Sequence, residues 1–145
     1  MVDRNKLDEL YEKMVDQTFA LLEKNGEFFP IGAVVKLDGE TRDVITYDGR
    51  EQPESQTVID ELTQVFQEQA LAGEIIASAI AFDARIRSSE TGKAVDTIIT
   101  RIRATGYARD VAMPYLLKTS GIFKKTYAIE GGQASASAGE QDIFT

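Results

Sequence analysis

No cysteine, histidine or tryptophan occurs among the 145 residues of this chain. Without cysteine there are no disulfides, no thiolate nucleophiles and no cysteine-held zinc or haem. Without histidine there is no Ser-His-Asp triad and no imidazole base. Catalysis would have to use Asp, Glu, Lys, Arg, Tyr, Ser or Thr. A carboxylate site for Mg²⁺ or Ca²⁺ needs convergent oxygens, yet neither a D-x-[DN]-x-[DN]-G loop nor a Walker pattern is present. No metal and no cofactor is therefore expected. Long apolar runs are missing too: nothing approaches the ~20 residues that span a bilayer. The amino-terminal "MVDRNKLDEL" is charged where a signal peptide would be apolar. The expectation is a cytoplasmic protein that does not enter a membrane.

Apolar residues make up 43% of the chain and charged residues 28%, which fits one ordinary folded domain. The net charge of −8 is unevenly spread: residues 1–82 carry −10, residues 83–110 carry +2, and the rest balance. An acidic chain repels phosphate backbones, so nucleic acid is not an expected partner.

Leu7, Leu10, Tyr11, Met14, Thr18, Leu21 and Leu22 recur at helical spacing and predict a helix from Arg4 to Lys24, ended by Asn25-Gly26. Its outer face is mostly acidic: Asp8, Glu9, Glu12, Asp16 and Glu23. The stretch "FFPIGAVVKLDGETRDVITYDG", beginning at Phe28, reads as a hairpin turning at Asp38-Gly39, with a second strand from Arg42 to Tyr47 closed by Asp48-Gly49. Gly32 lies inside a strand pattern, as a bulge or a close helix approach requires. Val58, Ile59, Leu62, Val65 and Phe66 predict a second helix from Pro53 to Ala72.

From Ile75 to Ile86, Ile76, Ile80, Phe82 and Ile86 share one parity and Ala77, Ala79 and Ala81 the other, as in a central strand packed on both faces. Strands follow over Val95–Arg103 and Tyr107–Leu117, and Ile122–Ile129 adds another. Pro114 cannot donate to a ladder and belongs at an edge or a bulge. "GGQASASAGEQ" reads as a flexible linker. Residues 1–130 are thus expected to form one domain and residues 131–145 a tail, with Ile143-Phe144 as a possible docking pair.

The prediction is an α+β fold: two amphipathic helices and a mainly antiparallel sheet of about five to six strands, from a hairpin and a three- or four-strand meander. This element order resembles that of the profilin-like and Roadblock-like sandwiches, in which an antiparallel sheet carries helices on its faces. Such a resemblance in order transfers no function.

Five of the eight arginines lie between residues 83 and 110. Arg101, Arg103 and Arg109, with Tyr107 and Tyr115, are the candidate anion-binding set, since guanidinium groups hold phosphate or carboxylate through paired donors. The competing reading pairs these arginines with Asp96 or Asp110, or lays their stems on the sheet. Asp83, Asp96 and Asp110 are candidate acids only if buried. Phe28, Phe29 and Pro30 are candidates for a pocket rim or subunit contact, because only one of two successive aromatics can follow the inward face of an extended strand; the competing reading packs both in the core through a kink.

The leading expectation is a non-catalytic interaction or regulatory domain that contacts a protein partner or forms a homodimer through a helix face or sheet edge. Its acidic surface also suits an inhibitor or immunity-type protein facing a basic partner. The alternative is a domain, possibly an enzyme, that binds a small anionic ligand through the Arg/Tyr set.

Overall fold

A computed structural model describes residues 2–45 and 54–144. The elements run α1 (Arg4–Asn25), β1 (Ile31–Lys36), β2 (Thr41–Val44), α2 (Ser55–Leu71), β3 (Ile75–Arg87), β4 (Ala94–Ala104), β5 (Tyr107–Ser120), β6 (Thr126–Gly131) and β7 (Ser135–Ala138). Tyr47 at the expected end of the second strand, its Asp48-Gly49 close and Pro53 at the expected helix start lie outside the described residues.

α1 starts where Asp3 accepts the Lys6 N–H at 2.8 Å, and stops at Gly26, whose N–H reaches the Leu22 carbonyl at 2.7 Å. α2 has no side-chain cap. Burial of Val58, Ile59, Leu62 and Phe66 holds it instead, each side chain contributing about 1.5–3 kcal/mol.

One antiparallel sheet of seven strands, in the order β2-β1-β3-β4-β5-β6 with β7 also paired to β5, forms the body. The fold class is as expected, with seven strands rather than five or six. α1 and α2 lie on opposite faces. Ala33, Val35, Ala77, Ala79 and Ala81 pack under Leu7, Leu10 and Met14 of α1, and the small alanines let that helix sit close. Val34 and Ile80 pack under Leu62 and Phe66 of α2. Gly32 serves the close approach: a β-carbon there would stand 2.7 Å from Cζ of Phe66. A register shift opposite Val35–Lys36 separates Ile75 from Ile76. Ile75 therefore joins the α2 cluster, and Ile76 packs on the α1 side rather than with Ile80 and Phe82.

Of residues 131–145, expected as a flexible tail, Ser135–Ala138 form a strand and Ile143-Phe144 a docked pair. β6 pairs with the second half of β5 and β7 with the first half, and the register advances by one between them: Tyr115 faces Gly131, but Ala112 faces Ser135. Met113 and Pro114 thus oppose Gly132, Gln133 and Ala134, a bulge set where Pro114 has no N–H to give. The Gly132 N–H bonds the Pro114 carbonyl at 2.7 Å. Composition suggested a linker because Ser and Ala pack little, but β7 is held through its backbone. Ile143 and Phe144 are buried against α2. No helix among the described residues is long and apolar enough to cross a membrane.

Candidate functional site

The β4–β5 turn decides what becomes of the Arg/Tyr set. Ala104 faces Tyr107 across Thr105-Gly106, so Arg103 pairs with Ala108 and Arg101 with Asp110. Residues directly opposite share a face. Arg101 and Arg103 therefore lie on the α2 side, whereas Tyr107, Arg109 and Tyr115 lie on the α1 side. The sheet itself separates the five residues.

Each is already engaged. The Arg101 guanidinium lies 4.8 Å from the Phe82 ring centroid, and Arg109 and Arg4 both lie over Tyr107, at 5.7 and 5.6 Å. Arg103, 3% exposed, forms ion pairs with Asp110 at 2.8 Å and Asp142 at 2.9 Å. It also donates to the carbonyls of Ile102 at 3.1 Å and Arg109 at 3.0 Å. The C-terminal segment closes over this group. Gln141 donates to the Ala104 carbonyl at 2.8 Å, and Gln67 of α2 donates to the Asp142 carbonyl at 2.6 Å. A β-carbon on Gly139 would meet Arg103 Nη1 at 2.7 Å, so the tail backbone rests directly on the guanidinium. Arg103 fastens the chain end.

Of the three aspartates, Asp96 pairs with Arg85 at 3.2 Å and Asp110 with Arg103. Asp83 accepts the Tyr115 hydroxyl at 2.9 Å. Partial burial of its carboxylate raises the Asp83 pKa above the usual range, and the Tyr115 bond opposes that rise. Burial, then the bond to Asp83, pushes the Tyr115 hydroxyl well above its ordinary value, so it stays protonated and donates. Asp83 still keeps an exposed edge at the end of its buried run, and the pair makes a polar join between β3 and β5.

Phe28, Phe29 and Pro30 line a cleft of about 680 Å³ between the end of α1, the start of β1 and β6. Phe28 and Pro30 are buried in its wall, and Phe28 packs with Leu22 and Tyr115.

The other candidate surface was not legible as such. α2 packs mainly on β3 and β1, leaving much of the α2-side face of β4 and β5 beyond it among the described residues. Across it, Ile99 faces Phe82 and Ala112, Thr97 faces Ala84 and Pro114, and Val95 faces Ile86. Leu116 is 60% exposed and Ile86 42% exposed. A hollow of about 380 Å³ opens over Thr97, Ala112 and Pro114. The rim is polar, with Lys118 paired to Glu130 at 3.3 Å. A one-sided antiparallel sheet normally shows water alternating polar residues; this end of the face, beyond Arg101, shows mostly apolar ones. The signal was Ile86, which falls on the apolar parity of β3 beyond the reach of α2.

No group of three or more metal-ligating side chains occurs among the described residues. Comparison with family models, with curated proteins and with solved structures finds no match for this chain.

Proposed function

We propose that this is a non-catalytic protein-interaction domain that self-associates through the part of the α2-side face of β3, β4 and β5 that neither α2 nor the C-terminal segment covers. The observation that carries the reading is that patch itself: exposed Ile86 and Leu116 flank half-buried Val95 and Ile99 beside a polar rim, on a sheet whose large apolar clusters lie under helices. Two copies related by a two-fold axis would each bury the same patch, which is the commonest form of homodimer. The Arg/Tyr set does not support the small-anion alternative, because its members lie on two faces and are engaged with carboxylates, carbonyls and rings.

The test is the mass in solution by light scattering, for the wild type and for Leu116→Glu. Leu116 is exposed, so the charge can be introduced without disturbing the core. The reading requires a dimer that the variant converts to monomer. A monomeric wild type, or a dimer indifferent to Leu116→Glu, would remove it.

A further inference from the structure

The cleft at Phe28 continues into a second hollow of about 260 Å³, which shares Leu21, Ile31 and Ile45 with it. Together they make one groove along the last turns of α1. Its lining runs from Gln17 to Asn25 on that helix, about 12 Å at 1.5 Å per residue. The total space falls in the range of small-molecule sites, roughly 300–1,000 Å³.

The two ends differ in charge. Lys24 and Lys125 stand at the larger end, beside Tyr127 and Glu27, so the described residues there carry one net positive charge. Neither lysine has an ion-pair partner among the described residues. The narrow end lacks both lysines, and Asp43, the acid among its described residues, is paired with Lys13 at 3.2 Å. Between the ends the wall is apolar. The Tyr127 ring lies against Gly26, where a β-carbon would stand 2.6 Å from it, so the ring is held in place by backbone contact.

A free cationic end joined to a narrow apolar trough matches a ligand with one anionic head and an unbranched apolar body. We propose that this groove binds a medium-chain alkyl carboxylate, with the carboxylate at Lys24 and Lys125, the Tyr127 hydroxyl donating to it, and the chain lying along Leu21, Ile31 and Ile45. The site lies on the α1 side, apart from the proposed self-association face, and the two readings fail independently.

The test is calorimetric titration with decanoate, and with decylamine as the probe of opposite charge, on the wild type and on Lys24→Glu/Lys125→Glu. Both lysines are exposed, and circular dichroism checks that the variant folds. Expected is saturable decanoate binding that weakens about tenfold or more in the variant, while decylamine binds the variant better than the wild type. Decanoate binding that is absent, no tighter than that of decylamine, or unchanged in the double variant would overturn the proposal.

Discussion

Replacing Arg103 by methionine removes the group that fastens the chain end. Arg103 is 3% exposed and holds two carboxylates, at 2.8 and 2.9 Å. Removing one partner of a buried ion pair costs roughly 3–5 kcal/mol, because the remaining charge is left without its counterion. Here the aspartates are 33% and 28% exposed and can recover water, so the cost falls to the bottom of that range or somewhat below it. The expected loss is about 2–3 kcal/mol. For a domain of this length 1 kcal/mol moves Tm by about 3–4 °C, so Arg103→Met should lower Tm by about 6–12 °C. Thermal and urea unfolding read this directly. Asp142→Asn should cost less, and the double variant less than the sum of the two, with a coupling of about 1 kcal/mol or more. Amide hydrogen exchange at Ile143 and Phe144 should accelerate in Arg103→Met. A loss below about 1 kcal/mol, or strictly additive effects, would refute the view that Arg103 secures the tail.

Phe144→Ala should cost about 3 kcal/mol in urea unfolding, since the ring is buried against α2; a change under about 1 kcal/mol would mean that the end does not dock. Asp83 has a raised pKa, so between the usual carboxylate value and the raised one the folded state holds the proton more tightly than the unfolded state. Its contribution to stability therefore falls as pH rises through that window. Asp83→Asn should accordingly be more stable than the wild type at neutral pH, with the advantage vanishing once both states are protonated. Tyr115→Phe removes the bond that opposes the rise, so the Asp83 carboxyl, followed by NMR, should titrate at still higher pH.

Elements whose signal is local were readable from the sequence. The period of Leu7, Leu10 and Met14, the cap at Gly26 and the turn at Asp38-Gly39 place α1, β1 and β2 close to their observed positions. The split of the Arg/Tyr set depended on which parity of β5 shares a face with Arg101. That information sits in the two-residue turn Thr105-Gly106, because turn length fixes register. β7 was hidden for a different reason. Ser135, Ala136, Ser137 and Ala138 bury no large side chain, and their strand depends on long-range backbone pairing to Arg109–Ala112. The partnership of Arg103 with Asp142 spans 39 residues and has no local trace. Successive aromatics mark Phe28, Phe29 and Pro30 in the sequence, yet the cleft they line is made equally by Lys125 and Tyr127 from a distant hairpin.

The most direct test of the interaction reading is site-specific photo-crosslinking from two positions on the full chain. Ala112 lies in the middle of the uncovered sheet face, and Glu12 lies on the exposed acidic side of α1. The account predicts that a photoreactive residue at Ala112 crosslinks to a second copy, at residues of β3, β4 or β5 on the same face, and that one at Glu12 does not. Copy-to-copy crosslinks from Glu12 with none from Ala112 would contradict it.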